Sequence, residues 1–327
     1  MNMQNHSSAR SRSMPMVLRR KRSGQHFDLT QLSARIRPMS SVAVHRRDIP
    51  GMNKSVVSHM NDKEIPMTGG RITAGVVRLG DTIRRPITRD RSHVHELLRC
   101  LEEQRFSGVP RFLGIDERNR EILSFLPGSV PSDLDHFDDE QLSAAAALLR
   151  RFHDATVSLV PDEDGGTEVI CHNDWGPPNA VFVDGLPTGF IDFDTIAPGL
   201  RLWDLGYSAF TWLDLGNPDY TGDEQIRRLF VFAKGYGLKR CSASAIAAYA
   251  VARQTVLAVS GKTQGNVDLA AWAETAANWT VLNVTERLAP THRLRTDSAG
   301  LACCPNCAAF ERGRVLMTGE MLGGNLG

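Results

Sequence analysis

No stretch of 18 consecutive apolar residues occurs in the 327-residue chain, so the sequence predicts no transmembrane helix and no membrane partner. Cysteine is sparse: six residues, Cys100, Cys171, Cys241, Cys303, Cys304 and Cys307, with no secretory apolar segment ahead of them. That pattern speaks against a disulfide framework and for a reducing, cytoplasmic setting. Cys303-Cys304-Pro305-Asn306-Cys307 holds one C-x-x-C half-site but no second one, so a four-ligand zinc site is not expected. Net charge is close to zero at +1, which gives no general reason to expect nucleic acid as a partner. Internal repeats are also missing.

What charge there is sits unevenly. Residues 1–62 carry 11 Lys/Arg against 3 Asp/Glu, and the remainder is mildly acidic. Residues 1–65 are rich in Ser, Arg and Met and show no helical or strand period, so they read as a disordered basic extension. A start of translation at Met52, Met60 or Met67 is a competing expectation, ahead of a transit segment. The rest has ordinary globular composition, at 42% apolar and 23% charged residues.

The chain is organised around Cys171 to Asp194, C-H-N-D-W-G-P-P-N-A-V-F-V-D-G-L-P-T-G-F-I-D-F-D. This reads as a loop, a short strand, an Asp184-Gly185 turn, a second strand and an acidic loop. Such a hairpin brings Asp174, Asn179 and Asp192 to one end. Two carboxylates and an amide oxygen there make a site for a hard cation. With a carboxylate to orient a hydroxyl, phosphoryl transfer becomes the natural chemistry.

Around it lie two lobes. Residues 66–130 predict a small β-rich lobe. It opens on Gly69-Gly70, where backbone amides can approach a phosphate, and forms a hairpin through Val76–Leu79 and Thr82–Pro86. Then come a helix over 92–104 with Ser92 as N-cap and strands over 109–115 and 120–126. Residues 131–289 predict a larger helical lobe, with helices opening at Asp138 and over roughly 203–215, 223–236, 242–260 and 267–288. A loop is expected at Ala197-Pro198-Gly199, and a loose tail over 290–327.

His172-Asn173-Asp174, Asn179 five residues on, and Ile191-Asp192-Phe193-Asp194 a further 13 on resemble the aminoglycoside phosphotransferase family, across about residues 66–288. The resemblance implies an α+β, bilobal protein-kinase-like fold. It implies ATP (or GTP) and Mg²⁺ as cofactors and a small-molecule hydroxyl, aminoglycoside-like or other, as acceptor. It assigns Asp174 as the catalytic residue that takes the acceptor's proton, and Asn179 and Asp192 as metal ligands. On the nucleotide side it assigns Gly69, Gly70, Arg85 and the hinge Ser124, Phe125 and Leu126. His172 is expected to pack, and Asp204 to brace the catalytic loop. The family's nucleotide-side Lys is Arg85 here. The helix that normally offers it a Glu has Val94 in that register, with His95 and Glu96 beside it. Sequences with this hairpin and a Trp-Asp-Leu segment also resemble immunity factors against a peptide antibiotic, which makes a non-catalytic binding protein the alternative.

Overall fold

The computed structural model describes residues 63–67, 74–134, 136–160 and 167–288. The basic extension, Gly69 and Gly70, and the tail with its C-x-x-C half-site lie outside the described residues, apart from 63–65.

Five short strands form an antiparallel sheet: β1 (Ile65–Pro66), β2 (Val77–Leu79), β3 (Thr82–Pro86), β4 (Phe112–Ile115) and β5 (Arg120–Ser124), in the order β1-β2-β3-β5-β4. The Gly80-Asp81 turn closes the β2–β3 hairpin, and Gly80 adopts φ +58°, a region that costs glycine little. Helix α1 (Ser92–Glu103) buries Val94, Leu97, Leu98 and Leu101, the apolar stripe its spacing predicts. Its cap is not Ser92. Asp90 accepts from the Ser92 N–H (2.9 Å) and Oγ–H (3.1 Å), and Ser92 is already the first helical residue, so the helix begins one position earlier than a Ser92 cap would imply.

The helical part begins with α2 (Asp139–Thr156). Asp138 and Gln141 cap it reciprocally: each side chain accepts from the other's backbone N–H at 2.9 Å. Then follow β6 (Val169–Cys171), the hairpin β7 (Ala180–Val183) and β8 (Leu186–Phe190), and β9 (Ala197–Gly199). Here the expectation of a loop at 197–199 fails. These residues pair antiparallel with β6, Cys171 opposite Ala197, which ties the two ends of the central stretch together. Helices α3 (Arg201–Trp212), α4 (Gly222–Gly235), α5 (Ala243–Thr263) and α6 (Val267–Thr280) complete the lobe. The helix expected to run to 288 passes through a π-turn at Val281–Thr285 before its last turn.

The segment Arg240–Thr263, which includes α5, has mean hydropathy 1.2 over its best window and is long enough to cross a membrane. It holds no unbroken apolar run of that length, because Ser244, Arg253 and Gln254 interrupt it. Half of the window is buried inside the fold, as in a core helix.

The core is aromatic where the lobes meet the central stretch. Phe152, His172, Trp175, Phe190 and Phe193 form a connected cluster, with Trp175 and Phe190 centroids only 4.0 Å apart. Two backbone links join the sheet region to the hairpin. Ser129 and Phe182 exchange hydrogen bonds of 3.0 and 2.7 Å, and the Phe190 N–H donates to the Gly108 carbonyl at 2.7 Å. At Gly108 a Cβ would stand 2.4 Å from the Thr188 carbonyl oxygen, so only glycine permits this approach.

Candidate functional site

The loop after β6 is fixed from three directions. Buried Asp204, in the first turn of α3, accepts from the backbone N–H of His172 (2.7 Å) and of Asn173 (2.8 Å), and pairs with His153 Nε2 (3.0 Å). Burial would raise its pKa, but these donors, His153 first, hold it below the ordinary carboxylate value. From the far side, Thr195 Oγ donates to the His172 carbonyl (2.9 Å) and Asn173 Nδ2 to the Thr195 carbonyl (3.0 Å). Arg253 caps the turn by donating to the Asn173 carbonyl (2.8 Å), its guanidinium lying 4.7 Å above the rings of both Trp203 and Tyr207. Asn173 takes φ +63°, a conformation Asn tolerates better than most residues.

His172 itself is fully buried in the aromatic cluster, and its Nε2 lies 3.2 Å from the Ile191 carbonyl. Burial pushes its pKa down, against the pull of Asp204, Asp174 and Asp192. A neutral imidazole packed in this way holds the two loops together.

The three residues the spacing singled out meet at the end of the β7–β8 hairpin. Asn179 closes a 3-10 turn, Pro177–Asn179; its Nδ2 donates to the Asp174 carbonyl (2.8 Å), and its own carbonyl accepts from Ile191 N–H (3.0 Å). With the amide nitrogen committed there, the Asn179 Oδ1 is the atom turned to the site. Asp192 follows directly in the left-handed region, at φ +62°. Asp174 Oδ1 accepts from the Tyr207 hydroxyl at 2.6 Å. Tyr207 was not foreseen. It lies 33 residues from Asp174 and reaches it only because α3 packs under the loop.

Arg85, on β3, does reach this end of the hairpin. It grips Asp194 with both terminal nitrogens (2.8 and 2.7 Å) and stands 3.9 Å from Asp192. Arg89 and Arg91 also hold Asp194, Arg89 at 2.8 Å. Val94 stands in the register where the family's helix carries a Glu, and no contact between Arg85 and the neighbouring Glu96 is found among the described ion pairs; Glu121 pairs with Arg85, at 3.4 Å. Glu121 faces Arg85 across the β3–β5 pair and also binds Arg91 (3.0 Å) and His95 (2.8 Å). Apart from Arg89, whose side chain is half exposed, the cluster is withdrawn from solvent, with side-chain exposure of 0% for Glu121, 3% for Asp194 and 13% for Arg85. For Glu121 burial works upward, but His95, Arg91 and Arg85 outweigh it and leave the carboxyl below its usual value.

The hinge residues differ in what they offer. Ser124 N–H donates to the Arg111 carbonyl (2.9 Å) and Phe125 N–H to the Asp81 carbonyl (2.9 Å), so neither amide faces outward. Arg78 lies 3.8 Å above the Phe125 ring. Leu126, next along, lines a cavity of about 580 Å³ with Pro127, Leu148, Val181 and Gly189. That cavity is apolar and contains none of Asp174, Asn179 or Asp192, so its size does not make it the chemical centre.

The donor set suits a hard divalent cation: Asn179 Oδ1 and the Asp192 carboxylate are both oxygen ligands. Among the described residues no group of three His, Cys, Asp or Glu could hold a metal unaided. A cation here would complete its shell with phosphate and water oxygens, as Mg²⁺ commonly does.

The profile of the phosphotransferase enzyme family matches residues 157–238, which span the loop after β6, the β7–β8 hairpin, α3 and α4. The trifolitoxin immunity protein of Rhizobium leguminosarum bv. trifolii is 35% identical, over 55% of this chain and 76% of its own length. Among solved structures, the gentamicin complex of APH(2″)-IIa aligns at TM-score 0.45 and 14% identity, covering 70% of this chain and 97% of that one. Plasmodium vivax ethanolamine kinase aligns at TM-score 0.46 and 12% identity, covering 65% and 80%.

Proposed function

The chain belongs to the phosphotransferase enzyme family, and from that premise we propose that it moves the γ-phosphoryl of ATP (or GTP), with Mg²⁺, to a hydroxyl of a small molecule. The observation that carries this reading is the meeting of Asp174, Asn179 and Asp192 at one end of the hairpin, with Arg85 brought to the same end.

Asp174 is the base. Tyr207 occupies its Oδ1, which leaves Oδ2 to accept the hydrogen bond, and then the proton, of the acceptor hydroxyl as its oxygen bonds to the γ-phosphorus and the bond from that phosphorus to the leaving nucleoside diphosphate breaks. Asn179 Oδ1 and Asp192 would hold Mg²⁺, which when bound would supply neutralisation of the charge that develops on the phosphates. Arg85 supplies an always-charged guanidinium on the phosphate side. The purine edge falls to the Leu126 peptide, because the Ser124 and Phe125 amides are committed within their own lobe. Most of the catalytic work would be positioning, and Asp204, Thr195 and Arg253 fix the loop that carries Asp174.

A second reading is a kinase-like immunity protein that binds a peptide antibiotic without catalysis. The 35% identity to a trifolitoxin immunity protein favours it. An ATP-consumption screen over hydroxylated small molecules, aminoglycosides included, separates the two. Turnover on one acceptor class supports the enzyme. No turnover on any, together with no Mg²⁺-dependent ATP binding, favours the immunity protein.

A further inference from the structure

We infer that Glu121, on strand β5, is the positioning carboxylate for Arg85, and that Arg91 at the lead-in to α1 and His95 on α1 contribute a cation and a donor to this cluster in place of a helix carboxylate. The inference rests on the phosphotransferase reading for the purpose of Arg85, but not for the anchor itself.

The geometry begins with the sheet. Arg85 and Glu121 are direct cross-strand neighbours in an antiparallel pair, so their side chains leave the same face close together. Glu121 is on a strand interior, fully buried, and cannot swing away. Asp194, the carboxylate Arg85 grips with both terminal nitrogens, lies on the loop after β8, as does Asp192, 3.9 Å from Arg85. The carboxylates around Arg85 therefore differ in kind: Glu121 is built into the sheet, while Asp192 and Asp194 are carried by the loop.

Around Glu121 the donors converge from three elements. Arg85 arrives from β3, Arg91 from the residue that leads into α1, and His95 from the first turn of α1, where its ring stacks on Phe112 at 3.8 Å. Arg91 then reaches on to Asp194. The start of α1, the phosphate-side arginine and the metal-side loop are thus fastened through one buried carboxylate. Removing the charge of Glu121 would leave Arg85 and Arg91 with Asp194 as their shared buried counter-charge in this cluster. Arg85 would then be drawn toward the loop and away from a phosphate.

The test compares Glu121→Gln, which keeps the shape and removes the charge, with Glu121→Asp, which keeps the charge. Two readouts are used: calorimetric binding of a non-hydrolysable ATP analogue with Mg²⁺, and backbone hydrogen exchange over residues 82–95. Glu121→Gln should bind the analogue about tenfold or more weakly and Glu121→Asp within about threefold of wild type, as expected for loss of a charged hydrogen-bond partner. Exchange should quicken in Glu121→Gln alone. Equal affinity in Glu121→Gln and wild type overturns the inference, as does an equal loss in both variants, which would mean that shape and not charge matters. If wild type binds no analogue, the phosphotransferase reading falls, and the anchor is judged on exchange: faster in Glu121→Gln than in Glu121→Asp upholds it, identical rates overturn it. Should Glu121→Gln fail to fold, Arg91→Gln, which lowers the positive charge of the cluster, should weaken analogue binding by about threefold and quicken exchange at the start of α1; unchanged values in both overturn it.

Discussion

Replacing Asp204 by Asn probes the support under the catalytic loop. The native carboxylate takes three contacts: His172 N–H and His153 on Oδ2, and Asn173 N–H on Oδ1. An amide offers one acceptor. Placed at the Oδ2 position, it keeps His172 and His153 but sets its NH₂ against the Asn173 N–H. One charge-assisted bond is lost, a buried donor is left without an acceptor, and the remaining bonds lose their ionic character. At about 1.5–3 kcal/mol for a bond to a charged group and about 1–3 for a buried unsatisfied donor, less some relaxation, the cost is about 2–4 kcal/mol. For a chain of this size that lowers Tm by roughly 5–15 °C. The acid limb gives the second signature. The Asp204 carboxyl is depressed in the folded protein, so its contribution is fully present above the unfolded value of about 3.9 and is lost as pH falls through the folded value. The gap between wild type and Asp204→Asn, measured by urea denaturation from pH 7 down to pH 3, should therefore be constant to about pH 4 and narrow below it. A Tm within about 1 °C of wild type at pH 7, or a gap that widens in acid, would refute the bracing role.

Two further outcomes follow from packing and from the donor set. At Gly206 a Cβ would stand 2.6 Å from the Tyr249 carbonyl carbon and 2.7 Å from its Cβ, where α3 crosses α5. Gly206→Ala gains about 1 kcal/mol of helix propensity but forces two backbones apart, so it should destabilise by about 1–3 kcal/mol net; a stabilised variant in thermal denaturation would show that the crossing yields. Asp192→Ala should weaken calorimetric ATP binding in the presence of Mg²⁺ by at least about tenfold while leaving metal-free binding unchanged, and equal loss in both conditions would remove Asp192 from the metal site.

Much of the fold was legible because it is written locally. The apolar stripe Val94, Leu97, Leu98 and Leu101 predicts α1, the helix opening at Asp138 is α2, and the Asp184-Gly185 turn places the hairpin. The convergence of Asp174, Asn179 and Asp192 was legible for the same reason: all three lie on one contiguous loop–hairpin–loop. What stayed hidden depends on register and packing between distant segments. Nothing near Glu121 marks it as Arg85's partner, since their meeting depends on β3 pairing with β5 in one alignment and no other. Tyr207 reaches Asp174 through the placement of α3, and Ala197–Gly199 becomes a strand only because Cys171 lies across from it. Ser92 has the residue type of a cap, but Asp90, two residues earlier, accepts the bonds at this helix start.

The central claim is that Asp174 takes the acceptor's proton, and Asp174→Asn tests it most directly. Phosphoryl transfer to the acceptor found by the screen should fall by roughly 10²–10⁴, with ATP affinity in the presence of Mg²⁺ within about threefold of wild type. Full turnover in Asp174→Asn would contradict the account.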